Sequence, residues 1–167
     1  MNTLGKSMTN PDNLPPAAHF LDARQIPHQV FRHVQPVNSV EEAAAQRSQR
    51  PEQVVRSIVF RLEQDEYLMV LISGGRQVSW KALRRYLDRS RLTMASEDEV
   101  LKVTGYRIGA VSPFGLPQAM RILVDQSVVD EVEISLGSGK RGVAIMMKSK
   151  DLLNALNPVE VGEFAAE

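Results

Sequence analysis

The chain has 167 residues, enough for one domain with a sizeable core, and its 20 basic and 20 acidic side chains exclude an overall electrostatic attraction to nucleic acid. The absence of cysteine excludes disulfides, thiolate metal sites and a cysteine nucleophile. The first residues lack the apolar run of a signal peptide and no apolar run approaches the ~20 residues that span a bilayer, so we expect a cytoplasmic protein without membrane contact.

The sequence of the first half of the chain indicates a tail, two helices, a strand and a hairpin. Residues 1–15 are polar and rich in Asn and Pro, which indicates a disordered tail. A helix over 17–25 ends before Pro27, and a strand over 28–33 follows. Ser39 and Glu42 form a capping box that starts a helix running to about Ser48. Two apolar runs around a polar turn then predict a hairpin, with strands over 55–62 and 67–72.

Two histidines, His28 and His33, raise the question of a metal site. They lie five residues apart and no carboxylate lies near them in sequence. This pattern is more typical of a surface strand than of a ligand set, so we expect no metal and no cofactor.

The most basic part of the chain is a helix predicted over 80–87 and capped by Ser79. Lys81, Arg84 and Arg85 lie on it. A cluster of this kind is usually only a solvated helix face. The alternative is a contact surface for phosphates, with Trp80 and Tyr86 available for stacking.

The second half predicts a further helix, three strands and a last helix. Ser96 and Glu99 form a second capping box, and its helix ends at Gly105. Strands are predicted over 121–125, 132–136 and 142–147, and Ser149 is expected to cap a helix over 150–156. The element order predicts one mixed α/β (α+β) domain over 16–158, followed by a C-terminal tail over 159–167.

One stretch, Thr104 to Leu116, concentrates three glycines and Pro113 within thirteen residues. Its apolar run, 108–111, predicts a short buried strand that leads into a rigid loop with exposed amides. The structural alternative is a plain strand between two turns. The functional alternative is a loop whose backbone N–H groups hold a ligand oxygen.

This stretch resembles the signature of the YbaK/aminoacyl-tRNA deacylase family, Thr-Gly-Tyr-x-x-Gly-Gly-x-Ser-Pro-x-Gly. Three other segments follow the order of the family: 55–60, 123–125 and 137–142. The resemblance spans roughly residues 20–156. It implies a twisted, mixed, barrel-like sheet flanked by helices, and a trans-editing activity that hydrolyses the ester of mischarged aminoacyl-tRNA, as in prolyl-tRNA editing.

The resemblance also implies the site and the partners. It places the catalytic role on Arg56, Gly109 and Ala110, with the substrate as a further aid to the attack. Lys81, Arg84 and Arg85 then become candidate tRNA contacts. The expected partners are mischarged aminoacyl-tRNA and a prolyl-tRNA synthetase, and the oligomeric state is left open. The implied substrate-binding residues are Ser57, Tyr106, Ser112, Pro113, Asp125, Gly137, Ser138 and Gly139.

Two positions depart from the family pattern. Arg56 stands where the family has a lysine, and it keeps the charge but cannot readily lose a proton. Ala110 replaces the second glycine of the pair and narrows the site by a methyl group. A second function therefore stays open: a non-catalytic module of the same fold that recognises a tRNA 3′ end or a small aminoacyl compound.

Overall fold

The computed structural model describes residues 13–167. The disordered tail predicted over 1–15 therefore lies mostly outside the described residues. Of its last three residues, Leu14 already packs against the main core.

The described residues form six α-helices, three of which begin at predicted serine caps. The Oγ atoms of Ser39, Ser79 and Ser96 each accept a hydrogen bond from the backbone N–H three residues later. Ser149 does not cap as expected, because Lys148 occupies the N-cap position and the Ser149 side chain is buried. The helices are α1 Pro16–Ala23, α2 Val40–Gln46, α3 Trp80–Leu87, α4 Glu97–Thr104, α5 Gln126–Val129 and α6 Ser149–Ala155.

The strands of the described chain form two sheets. The strands are β1 Gln29–Arg32, β2 Val55–Glu63, β3 Glu66–Ser73, β4 Thr93–Met94, β5 Arg121–Asp125, β6 Glu133–Gly137, β7 Val143–Lys148 and β8 Glu160–Gly162. The larger sheet has the order β4-β2-β3-β5-β8, with β5 parallel to both of its neighbours, and the smaller is the antiparallel sheet β1-β7-β6. A parallel bridge between Val54 and Ser135 joins the two sheets.

The predicted hairpin is the centre of the larger sheet. Val55 pairs with Ser73 and Phe60 with Leu68, and Asp65 takes the left-handed conformation in the turn at φ 63°. Because side chains alternate along a strand, β2 and β3 contribute to a core on each face. The main core lies between the two sheets and includes α1, and a second core lies under α3.

The predicted tail over 159–167 is wrong, because this segment is part of the fold. Strand β8 pairs in parallel with β5, and Phe164 beyond it is fully buried in the core under α3. The alternation of Val159 and Val161 with Glu160 is the sequence signal for a strand here. The domain therefore extends past residue 158.

Taken together, the described elements confirm a mixed α+β single domain. No helix among residues 13–167 is long and apolar enough to cross a bilayer.

Candidate functional site

The segment after α4 is an irregular loop, so the strand predicted over 108–111 is wrong. Gly105 ends α4 in the left-handed conformation at φ 80°. The Ala110 N–H then donates to the Arg107 carbonyl at 2.9 Å, which closes a turn that leaves Ile108 44% exposed. Gly109 lies in that turn at φ 97°, a conformation that glycine adopts without strain.

The second half of the loop is buried and supports the first. Ser112, Pro113 and Phe114 are all buried, and the Ser112 Oγ accepts from the Phe114 N–H at 3.2 Å. The Tyr106 hydroxyl donates to the Phe114 carbonyl, which ties the two ends of the loop together. Tyr106, Ser112 and Pro113, predicted to bind substrate, therefore hold the loop in shape in this conformation.

The turn at 137–139 packs directly against the same loop. The Gly139 N–H donates to the Ala110 carbonyl at 2.8 Å, and a Cβ on Gly137 would overlap the Val111 carbonyl. The Ser138 hydroxyl is fully buried and donates to the Val143 carbonyl at 2.7 Å. The structure thus brings the two predicted glycine-rich segments into contact, although they are separated by more than twenty residues.

Arg56 lies on the same side of the sheet as this contact. The bridge between Val54 and Ser135 is two residues before Arg56 in one strand and two before Gly137 in the other. When this parallel register is continued by two residues, Arg56 lies opposite Gly137. Its side chain is then on the side of the sheet where Val111 covers Gly137. We call the group formed by Arg56, 109–111 and 137–139 the Arg56 corner.

The Arg56 guanidinium is only partly satisfied. One terminal nitrogen, Nη2, donates to the Arg76 carbonyl, but Nε is buried and has no hydrogen-bond partner among the described residues. Burial lowers the pKa of Arg56 from its usual value. A buried donor without an acceptor is costly, so it needs an explanation such as a bound ligand or water.

Ser57, by contrast, points away from Arg56. Val55 and Val59, on the same face of β2 as Ser57, belong to the main core, whereas Ile58 and Phe60 pack on the other side with Arg56. The Ser57 Oγ is also buried without a partner among the described residues. Its predicted role in substrate binding stays a prediction, and it would act from the opposite face of the strand.

Asp125 is fully engaged within the protein. Its Oδ1 accepts from the N–H groups of Phe164 at 2.7 Å and Ala165 at 3.1 Å. Its Oδ2 accepts from the Ser127 N–H at 3.0 Å and from the Ser127 hydroxyl. These contacts make Asp125 the anchor of the C-terminal segment in this conformation, and its substrate-binding role stays a prediction.

The turn uses one of the two predicted amide donors in an internal hydrogen bond and leaves the other. The Ala110 N–H is used by the Arg107 carbonyl, whereas the Gly109 N–H has no partner within the described part of the chain. A residue that the sequence reasoning did not assign, Arg141, lies beside Gly109 and donates to the Ile108 carbonyl at 3.1 Å. Its position in the glycine-rich stretch 137–142 was the available signal.

The two histidines lie in separate contacts. His28 Nε2 is 3.5 Å from Asp22, while His33 contacts Gln46 at 2.8 Å and accepts from Arg47 Nε at 3.1 Å. Arg47 is a second arginine that the sequence did not single out. Burial lowers its pKa to about 10, and its hydrogen-bond partners are the imidazole of His33 and the hydroxyl of Ser135.

A cleft of about 420 Å³ lies elsewhere, on the smaller sheet. Its lining includes both lysines and carboxylates, among them Glu133, Lys148 and Asp151. None of the predicted site residues lines this cleft. We place the candidate site at the Arg56 corner, because that is where a buried donor lacks a partner and two segments converge.

The model of one protein family, the aminoacyl-tRNA editing domain, matches residues 34–155. Among curated proteins, the proline–tRNA ligase of Streptococcus thermophilus is 32% identical over 104 residues, which are 62% of this chain and 17% of the ligase. The proline–tRNA ligase of Kosmotoga olearia is 32% identical over 106 residues, 64% of this chain and 18% of the ligase. The chain thus spans less than a fifth of the length of these relatives.

Solved structures show the same fold. One described as a candidate trans-editing enzyme for prolyl tRNA synthetase superposes with a TM-score of 0.83 at 24% identity, over 91% of this chain and 96% of the other. A hypothetical protein superposes with a TM-score of 0.82 at 20% identity, over 90% of this chain and 99% of the other. The predicted fold is confirmed by these matches, and the predicted family by the family match.

Proposed function

Because this chain belongs to the aminoacyl-tRNA editing domain family, we propose that it hydrolyses the ester of mischarged aminoacyl-tRNA in trans. The observation that carries the proposal is the Arg56 corner, where a buried Nε donor without a partner lies on the side of the sheet covered by the 109–111 turn. The names of the relatives and of the superposed structure support tRNA(Pro) as the tRNA and a prolyl-tRNA synthetase as a partner.

The proposed chemistry needs few catalytic groups, since an aminoacyl ester is already activated. Water attacks the carbonyl carbon and forms a C–O bond, and the carbonyl electron pair moves onto oxygen. Collapse of this intermediate breaks the bond to the ribose oxygen, which takes the proton lost by water. The products are a free amino acid and a tRNA with a free terminal hydroxyl.

In this proposal the protein stabilises the oxyanion and positions the ester. The Arg56 guanidinium and the Gly109 N–H are the proposed hydrogen-bond donors to the oxyanion. Preorganised donors of this kind stabilise developing negative charge. Arg56 acts as a fixed cation and not as a base, because a guanidinium does not lose its proton in the working pH range. The ribose hydroxyl or a substrate group assists the attack, as the family resemblance implies.

The remaining predicted residues shape the site in this proposal. Ala110 adds a methyl group that narrows it, and a methylene-sized difference in a pocket is worth about 1–3 kcal/mol in discrimination. Gly137 and Gly139 allow the close approach that holds the 109–111 turn in place.

A second function, a non-catalytic module that binds a tRNA 3′ end or a small aminoacyl compound, is favoured by two contacts that already use donors of the site. Arg56 already donates to the Arg76 carbonyl, and the Ala110 N–H is already used. Arg56→Lys separates the two functions. A fall in hydrolysis supports Arg56 as the working residue, and a large gain supports a degenerate enzyme in which arginine replaces the family's lysine.

The proposal is tested by a deacylation assay with a panel of aminoacyl-tRNAs that includes mischarged tRNA(Pro). We expect hydrolysis of one or a few esters. Arg56→Ala should lower kcat/KM by about 10²–10³-fold, the effect of losing one oxyanion donor. Arg61→Ala is the matched control, because it removes a guanidinium from the far end of the same strand, where Arg61 pairs with Glu99.

Equal activity of Arg56→Ala and the unmodified protein would contradict the role of Arg56. Absence of hydrolysis for every ester in the panel would contradict the enzyme and favour the binding module.

A further inference from the structure

Helix α3 carries a flank of three cations. Lys81, Arg84 and Arg85 are spaced three and four residues apart, so they lie side by side along the helix. Leu83 and Leu87 of the same helix point the other way and are buried in the second core. We call these three cations the α3 basic flank.

The charges of this flank are not balanced by carboxylates within the described part of the chain. Among the described residues, no carboxylate forms an ion pair or hydrogen bond with any of the three. Neighbouring cations do have partners: Arg89 pairs with Glu66 at 2.8 Å, and Arg121 with Glu160 at 2.6 Å. Unlike these two neighbours, the three cations of the flank carry charge that no carboxylate among residues 13–167 compensates.

Charge is concentrated here although the chain as a whole is neutral. Residues 76–91 contain six Lys or Arg and one acid, Asp88. The first turn of α3 has no acidic residue, and Lys81 lies near the helix N-terminus, where a positive charge is unfavourable. Like charges three and four residues apart also repel. A bound polyanion would relieve both effects.

The flank is connected to the Arg56 corner by rigid backbone. The Arg76 carbonyl accepts from Arg56, and the chain from there to α3 is held by the C-terminal segment, since Ser79 N–H donates to the Phe164 carbonyl at 2.7 Å. Trp80, at the border of the flank and 36% exposed, packs edge-on against Phe60 at 5.2 Å. Phe60 shares a face of β2 with Arg56, four residues or about 13 Å away.

We propose that the α3 basic flank binds the phosphodiester backbone of the RNA whose aminoacylated 3′ end enters the Arg56 corner. This rests on the proposed function for the choice of RNA as the polyanion. The flank provides phosphate contacts that are independent of sequence, and Arg56 receives the ester at the end of the strand. The α3 basic flank determines the affinity for the RNA, and the Arg56 corner carries out the hydrolysis.

The test measures the binding of an RNA hairpin that has a 3′ CCA end and carries no amino acid. Binding is followed by fluorescence anisotropy between 50 and 200 mM salt. Each cation that contacts a phosphate contributes about 0.7–0.9 to the slope of log K against log salt. We expect the triple variant K81Q/R84Q/R85Q to bind at least tenfold more weakly at low salt and to lower that slope by about two.

The matched control, R24Q/K102Q/K150Q, removes the same charge from exposed positions outside the flank. It should bind the hairpin as the unmodified protein does. Equal loss in both triple variants would overturn the proposal, because binding would then depend only on net charge. Unchanged binding in the flank variant, or tighter binding to phosphatidylglycerol vesicles than to the hairpin, would also overturn it.

A second assay distinguishes this proposal from the proposed hydrolysis. Hydrolysis of an aminoacyl-adenosine, which has no RNA stem, should be the same for the flank variant and the unmodified protein. For aminoacyl-tRNA, the kcat/KM of the flank variant should fall because its KM rises. If no ester is hydrolysed but hairpin binding still depends on the flank, the enzyme proposal fails and the RNA surface stands.

Discussion

At Gly137 a single missing side chain allows two segments to meet. The Val111 carbonyl lies where a Cβ of this residue would be, so any larger residue must push the loop away from β6. The backbone of Gly137 itself is ordinary, since its φ is not among the positive ones. The glycine is needed for close approach and not for its dihedral freedom.

We therefore expect Gly137→Ala to lose about 1–3 kcal/mol of stability, the usual cost of overpacking, and to lose most ester hydrolysis as the 109–111 turn moves. Urea denaturation and the deacylation assay measure the two effects. Gly142→Ala is the control, since its φ of 77° strains an alanine although no atom lies within 4 Å of the added Cβ. It should lose stability but keep the activity. Wild-type activity in Gly137→Ala would contradict the need for this contact.

Helix α4 shows how an element can be built almost entirely by local interactions. Ser96 accepts from the Glu99 N–H at 3.2 Å, and Glu99 accepts from the Ser96 N–H at 2.9 Å, as the capping box predicts. The Ser96 N–H, together with the Tyr67 hydroxyl at 2.8 Å and nearby Arg61, lowers the pKa of Glu99 to about 2.

This pKa predicts a specific dependence of stability on pH. Glu99 has a usual pKa of 4.5 and a lower one in the folded state, so its contribution is complete above pH 4.5. It is lost as the pH falls from 4.5 through about 2. In Glu99→Gln, the urea midpoint should be lower than that of the unmodified protein at pH 7, and should fall less between pH 4.5 and 2.

Glu97→Gln is the control for this measurement, because Glu97 is exposed in the same first turn of α4 and has no ion-pair partner among residues 13–167. Its denaturation midpoint should follow that of the unmodified protein over the acid range. Parallel curves for all three proteins would show that the cap does not control the acid transition.

At the scale of the whole molecule, the C-terminal segment locks the second core. Phe164 packs edge-on against Tyr86 of α3 at 5.0 Å, and its N–H and that of Ala165 are held by Asp125. One buried carboxylate thus joins β5, α5 and the end of the chain. The segment also fixes the start of α3, and with it the α3 basic flank.

Phe164→Ala should therefore cost about 3–5 kcal/mol in the free energy of unfolding, as expected for a phenylalanine removed from a core. Val161→Ala, in the adjacent strand but 41% exposed, should cost less than about 1 kcal/mol. Urea denaturation at neutral pH compares the two. If the end of the chain were a tail, as its position suggested, both substitutions would be nearly neutral.

The sequence by itself determined the local elements and the family. Serine caps, the turn at 64–65 and apolar alternation depend on neighbouring residues, so the bounds of α3 and of the central hairpin agree closely with those predicted. The order of these elements predicts the mixed α+β class, and the resemblance in four ordered segments predicts the family.

Only the tertiary structure decided what those segments do together. The apolar run at 108–111 is typical of a strand, yet it pairs with no strand among residues 13–167, because the Ala110 N–H closes a turn and the Ala110 carbonyl accepts from Gly139. The placement of Arg56 on the side of Gly137 and of Asp125 under Phe164 depends on pairing between segments about 40 to 80 residues apart. No local pattern encodes such pairing, because it is set by how whole sheets pack.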